Sequence, residues 1–110
     1  MDYSYQAEKL SAARRALMLP HPKGEEDSMF YAFMECDHAF HNLDMNGLDD
    51  NSRGYVAKIK EFMDTTGLTD PEAAGLFKVR AIKLTVDQRL ELSQTIDELA
   101  HWFKRTTYSA

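Results

Sequence analysis

Apolar residues recur at helical spacing along most of this sequence, and their pattern divides the chain into predicted helices. The intervals expected to be helical are 4–18, 25–43, 50–66, 70–82 and 85–105. Proline and glycine separate them, because proline lacks a backbone donor and glycine tolerates the backbone angles of turns. Short connections favour antiparallel neighbours. The sequence therefore predicts an all-α fold, a compact antiparallel helical bundle of about five helices, one of them short.

The second predicted helix carries the clearest apolar face, with inward residues three and four positions apart. These residues are Met29, Phe33, Cys36, Phe40 and Leu43. The third helix is expected to face inward through Tyr55, Val56, Ile59, Phe62 and Met63, and the last through Leu92, Ile96, Leu99 and Phe103. The first helix has a weaker stripe that Arg14 interrupts, so we expect it to be peripheral.

Local signals predict where several helices begin and end. Ser4 is expected to cap the first helix, and Thr85 with Gln88 has the form of a capping box for the last. The run Asp70-Pro71-Glu72 predicts the start of the fourth helix, and Gly67 a left-handed residue after the third. Alternation within 76–84 also permits a strand. Residues 106–110 are expected to form a frayed tail.

Length and composition predict one ordinary globular domain spanning 1–110. The chain has 44% hydrophobic residues and a single cysteine, Cys36, which cannot form an internal disulfide. The first residues lack a signal-peptide pattern, and no apolar run approaches the length of a membrane span. We therefore expect a cytoplasmic protein in a reducing compartment, without a membrane partner.

The net charge of −5 is unevenly distributed along the chain. Residues 25–50 contain eight acidic residues and no Lys or Arg, whereas residues 1–24 carry a net +2. This acidic excess argues against nucleic-acid binding, which needs basic groups on one face. The groups that would have to converge there are Lys9, Arg14, Arg15, Lys78, Arg80 and Lys83.

Two Glu-x-x-His pairs suggest a metal site: Glu35 with His38, and Glu98 with His101. Such pairs on two helices are half of the ligand set of carboxylate-bridged di-iron bundles, whose ligands project into the core. At 100° per residue, however, each glutamate lies about 120° and each histidine about 180° from the apolar face of its helix. These four residues are therefore weak metal candidates that are expected to face solvent.

Two further metal patterns are incomplete. Cys36, His38 and His41 cannot share a zinc ion, because Cys36 lies on the apolar face and His38 opposite it. The loop from Asn42 to Gly47 has the spacing of the first half of an EF-hand calcium loop, but its twelfth position is Arg53 instead of glutamate. We expect a buried cysteine and a polar turn, and predict no cofactor.

Catalytic signatures are also absent from the sequence. No serine lies in a Gly-x-Ser-x-Gly context, and the five glycines form no phosphate-binding loop. The sequence therefore predicts a protein that is not an enzyme.

The second helix has more apolar residues than one face requires. Phe30 and Met34 lie about 100° and 140° from its centre, beside Tyr31. They either contact a second neighbouring helix or form an exposed patch, and acidic residues would surround that patch. The acidic residues are Glu25, Glu26, Asp27, Glu35 and Asp37.

The resulting hypothesis is a small acidic protein-interaction module that binds a basic protein through 25–43 and the following loop. Small acidic helical domains of this physical type serve as immunity proteins, antitoxins and phage-encoded inhibitors, so an inhibitory role is the specific expectation. A homodimer through the same patch is one alternative. A metal-binding helical protein that uses the two Glu-x-x-His pairs is the other.

Overall fold

Five α-helices dominate the computed structural model, which describes residues 2–18, 24–70 and 75–108. They are α1 (Ser4–Ala16), α2 (Glu25–Phe40), α3 (Asp50–Phe62), α4 (Leu76–Lys83) and α5 (Val86–Tyr108). A 3-10 turn, Met45–Gly47, lies between α2 and α3. The described residues contain no strand. The predicted all-α class is confirmed, and the strand alternative for 76–84 is wrong.

Side-chain caps explain where two helices, α5 and α3, begin. The Thr85 hydroxyl accepts from the Gln88 backbone N–H at 3.1 Å, and the Gln88 side chain accepts from the Thr85 N–H at 2.8 Å. This reciprocal pair confirms the predicted capping box. Asp49 caps α3 by accepting from the Ser52 N–H at 2.8 Å. Ser4 is not the cap of α1, because Ser4 is already helical and the Asp2 carboxylate accepts from its N–H.

Several predicted boundaries need correction. Helices α1, α2 and α3 end two to four residues before the expected positions, at Ala16, Phe40 and Phe62. Gly67 has a φ of +79° but lies in a separate turn beyond α3. Residues 106–108 continue α5 and are not frayed, while 109–110 lie outside the described residues.

Helix α4 begins at Leu76 and so later than the predicted start at Asp70, while Pro71 and Glu72 lie outside the described residues. The Asp70 carboxylate accepts from the Gly75 N–H at 2.7 Å, immediately before the described helix begins at Leu76.

The core contains most of the predicted inward residues. The α5 stripe is fully buried throughout, and on α2 the residues Met29, Phe33 and Cys36 are buried. Phe40, Leu43 and Tyr55 are only partly buried and pack against the edge of this core. The apolar periodicity therefore identified the inward faces of α2, α3 and α5.

Helix α1 packs against both α2 and α5, so the prediction that it is peripheral is wrong. Its inward residues Tyr3, Ala7, Leu10 and Ala13 are buried, and Leu10 and Ala13 have no solvent exposure. Two of the four are alanines, which contribute little to an apolar pattern but allow helices to approach closely. Arg14 lies at the edge of this face, where its Nε is 2.5 Å from the Asp97 carboxylate of α5.

The helices pack in the spatial order α4, α2, α1, α5, α3. Contacts at both ends show that α1 and α5 are antiparallel: Tyr3 packs edge-on against Phe103, and Arg14 pairs with Asp97. Helices α3 and α5 are also antiparallel, because the Trp102 indole N–H donates to Asp49 while Lys58 pairs with Glu91. This arrangement agrees with the predicted antiparallel bundle.

The central position of α1 can be tested with the substitution Ala13→Leu. Ala13 has no exposed surface, so the added atoms have to displace α2 or α5, and overpacking of this kind costs about 1–3 kcal/mol. The measurement is the free energy of unfolding in urea. The matched control is Ala12→Leu, since Ala12 is partly exposed. Equal stability of the two variants would contradict a central α1.

Candidate functional site

The two Glu-x-x-His pairs do not meet in the structure. Glu35 forms an ion pair with Lys9, its carboxylate 3.7 Å from the Lys9 Nζ, and His38 is exposed. Glu98 and His101 are exposed on α5, and the His101 ring lies 2.8 Å from the Asp97 backbone oxygen. Both α2 and α5 pack against α1. No group of three or more metal-ligating side chains occurs among the described residues.

Cys36 and His38 lie on opposite faces of α2, as the helical spacing predicted. Cys36 has no exposed surface, and burial, together with Glu35 and Asp37 nearby, raises the pKa of its thiol well above the ordinary value. A thiol in this environment stays protonated and is a poor nucleophile or metal ligand. Cys36 is therefore a core residue.

The loop that resembles half of a calcium site uses its polar groups to hold the backbone. The Asp44 carboxylate accepts from the Asn46 N–H at 2.9 Å, and its backbone oxygen accepts from the Tyr3 hydroxyl at 2.7 Å. The Arg53 side chain donates to the Met45 carbonyl at 3.2 Å. The loop thus joins α2 to α3, and the hydrogen bond from Tyr3 links it to the start of α1.

Asp49 is the most heavily hydrogen-bonded carboxylate of this loop. One of its oxygens accepts from both the N–H and the hydroxyl of Ser52, and the other accepts from the Trp102 indole at 3.0 Å. Bonds from Ser52, chiefly from its backbone N–H, and the bond from Trp102 lower the pKa of Asp49 below 3.8. Asp49 therefore connects the start of α3 to α5.

Three of the five acidic residues predicted to bind a partner form ion pairs within the chain. Glu25 lies 2.9 Å from the Arg89 guanidinium, Asp27 lies 3.3 Å from the Lys78 ammonium, and Glu35 pairs with Lys9. The sequence showed that α2 lacks Lys and Arg. It did not show that α1, α4 and α5 bring basic side chains to it.

The remaining predicted residues form a surface on the side of α2 away from the core. Tyr31 is 45% exposed, and its ring lies 5.7 Å from that of Phe30. The sequence left open whether Phe30 and Met34 contact a neighbouring helix or form an exposed patch. In the structure both residues are partly buried. Glu26 and Asp37 are exposed and form no ion pair with any described residue.

A second exposed apolar group lies where α4 meets α5, and the sequence analysis did not identify it. Val86 is 66% exposed, Leu90 is 59% exposed and Ile82 is 49% exposed. Val86 and Leu90 are one turn apart, outside the inward stripe of α5. The four-residue spacing of Val86 and Leu90 in the sequence could have identified this exposed apolar group.

The basic residues that a nucleic-acid surface would require contact several different elements. Lys9 and Lys78 pair with acidic residues of α2, and Arg14 pairs with Asp97 of α5. Arg80 donates to the carbonyl at the end of α3. These groups therefore take part in contacts within the bundle.

Comparisons with protein-family models, curated proteins and solved structures find no match for this chain. None of the described helices is long and apolar enough to cross a membrane.

The hydrogen bonds to Asp49 predict a specific acid sensitivity. These hydrogen bonds depress the pKa of Asp49 in the folded state below 3.8. The stability that the ionised carboxylate provides is therefore present above pH 3.8 and is lost as the pH falls through the depressed pKa. The substitution Asp49→Asn should therefore reduce the loss of stability over that acidic interval. The measurement is urea unfolding at a series of pH values, followed by the fluorescence of Trp102, the only tryptophan.

The matched control for this experiment is Asp50→Asn, which changes the neighbouring, exposed carboxylate in the first turn of α3. It makes the same chemical change next to Asp49 but leaves the hydrogen bonds to Asp49 in place, so it should flatten the acid dependence less than Asp49→Asn does. If both variants flatten the profile equally, the hydrogen bonds to Asp49 are not its cause.

Proposed function

We propose that this protein is a small protein-binding module that docks on a basic protein surface through the outer face of α2. This face, called the α2 docking surface below, consists of Glu26, Phe30, Tyr31, Met34 and Asp37. The observation that carries the proposal is the exposed Tyr31 ring, packed on Phe30, together with Glu26 and Asp37, which form no ion pair with a described residue.

The apolar part of the α2 docking surface has the composition of an interface core. Tyrosine, phenylalanine and methionine are enriched there, since aromatic rings bury a large area at a small entropic cost. Phe30 and Met34 already have part of their surface covered by the bundle, so their side chains lose less freedom when a partner covers the rest. The partial burial therefore favours a preorganised contact.

The acidic part of this surface favours a basic partner. Glu26 lies one turn before Phe30 and Asp37 two turns after it, on the same side of α2, so both can interact with a partner that covers Phe30 and Met34. Exposed charges at the rim of an interface mainly accelerate encounter and act over about 8 Å at physiological salt. Glu25, Asp27 and Glu35 contribute less to this attraction, because their charges are offset by Arg89, Lys78 and Lys9.

An inhibitory role is the specific form of this proposal. A small acidic domain that covers a basic surface blocks whatever that surface binds, which is how inhibitors of the immunity or antitoxin type act. We also propose a cytoplasmic location, which is supported by the single buried cysteine.

The proposal predicts how two kinds of substitution alter partner binding. Reversing the rim charges with Glu26→Lys and Asp37→Lys should slow association and reduce its salt dependence. Tyr31→Ser should accelerate dissociation, with a loss of at least about 1 kcal/mol if Tyr31 is an anchor. The partner is first recovered from the source organism with the wild-type protein, and its rates are then measured by surface plasmon resonance.

Two matched variants serve as controls. Glu61→Lys makes the same charge change at an exposed position on α3, and the double variant Val86→Ser with Leu90→Ser removes apolar surface elsewhere. Both should bind as the wild type does. A partner that is lost with the Val86 and Leu90 variant but retained by the α2 variants would contradict the proposal. Self-association that Tyr31→Ser abolishes would assign the surface to a homodimer instead.

A further inference from the structure

A stripe on α2 combines an exposed aromatic ring with a carboxylate on either side. Asp27, Tyr31 and Glu35 are spaced four residues apart and therefore lie on one line along the helix. Asp27 is paired with Lys78 of α4 and Glu35 with Lys9 of α1. The stripe thus has an ion pair at each end and the 45% exposed Tyr31 in the middle.

Both ion pairs are longer than a strong charge-assisted hydrogen bond. The Lys78–Asp27 distance is 3.3 Å and the Lys9–Glu35 distance is 3.7 Å, whereas strong N–H to carboxylate contacts measure about 2.7–2.9 Å. The Glu25–Arg89 pair of the same helix, at 2.9 Å, meets that criterion. Neither lysine therefore makes the short contact of a strong pair, and partly exposed pairs of this kind contribute little to stability.

Lys9 makes a second favourable contact from the position in which it pairs with Glu35. Its ammonium lies 5.6 Å from the centre of the Tyr5 ring, a distance at which cation–π attraction operates. Lys9 can therefore release Glu35 and keep a favourable contact. This lowers the cost of replacing Lys9 with another cation.

We infer that the Asp27–Tyr31–Glu35 stripe binds arginine side chains of the partner, which replace Lys78 and Lys9 at the two carboxylates. This inference rests on the proposed function and specifies the chemistry of the partner surface. Arginine is favoured over lysine because its planar guanidinium bonds a carboxylate through two parallel N–H groups and stacks on an aromatic ring. The lysines act as internal competitors that keep the carboxylates paired until the partner arrives.

The experiment uses two alanine-based peptides, one with arginine once per helical turn and the other with lysine at the same positions. Binding to the full chain is measured by isothermal titration calorimetry. The arginine peptide should bind several-fold more tightly than the lysine peptide, and Tyr31→Leu should reduce that difference. Equal affinities of the wild type for the two peptides would overturn the inference.

Removing an internal competitor should strengthen binding. Lys78→Gln and Lys9→Gln are each expected to increase the affinity for the arginine peptide about threefold, equivalent to roughly 0.7 kcal/mol. The matched control is Lys83→Gln, which removes the same charge from an exposed lysine of α4 that forms no ion pair with a described residue. An equal gain with Lys83→Gln would show that net charge alone is responsible and would overturn the inference. Circular dichroism verifies that each variant is folded.

Measurements with the natural partner separate this inference from the proposed function. If partner binding depends on Glu26, Asp37 and Tyr31 but Lys78→Gln leaves it unchanged, the docking surface is correct and the exchange of lysine for arginine is wrong. If none of these substitutions changes partner binding, the proposed function fails as well.

Discussion

Helix α1 lies between α2 and α5 with its alanine-containing face fully buried, and the positions of the other helices follow from this packing. Ala7 and Ala13 leave room for two neighbours, while Leu10 fills the centre with no exposed surface. Close contact between helices requires small side chains or complementary shapes, since interiors are packed to crystal density. Both α2 and α5 pack against α1, and this arrangement does not bring the pairs Glu35–His38 and Glu98–His101 of the described residues into one metal-ligating group.

Four of the described ion pairs follow the same packing, and a fifth, Glu25–Arg89, joins α2 to α5. Lys9–Glu35 joins α1 to α2, Arg14–Asp97 joins α1 to α5, Lys58–Glu91 joins α3 to α5, and Lys78–Asp27 joins α4 to α2. Each packed pair of helices thus has one ion pair at its surface. Pairs this exposed each contribute about 0–1 kcal/mol, so their main effect is to disfavour other pairings of the helices. The acidic charge of α2 accordingly has a structural use within the chain.

This internal use of charge changes the meaning of the acidic segment. A helix of 16 residues with five acidic groups and no Lys or Arg suggests a strongly negative docking surface. The structure offsets three of those charges with Lys9, Lys78 and Arg89, so attraction of a partner depends more on Glu26, Asp37 and the exposed Tyr31. In the inferred exchange, arginine side chains of a partner replace Lys9 and Lys78 at Glu35 and Asp27 more effectively than lysine side chains do.

The sequence by itself determined the all-helical class, the inward faces of α2, α3 and α5, and the capping box at Thr85, because helical periodicity and caps depend on residues a few positions apart. It also placed His38 and His101 on the outer faces of their helices. Only the tertiary structure decided that α1 is central, since alanines give a weak apolar signal and their value depends on what packs against them. Likewise, the partners of Glu25, Asp27, Glu35 and Asp49 come from helices distant in sequence, so no local pattern contains them.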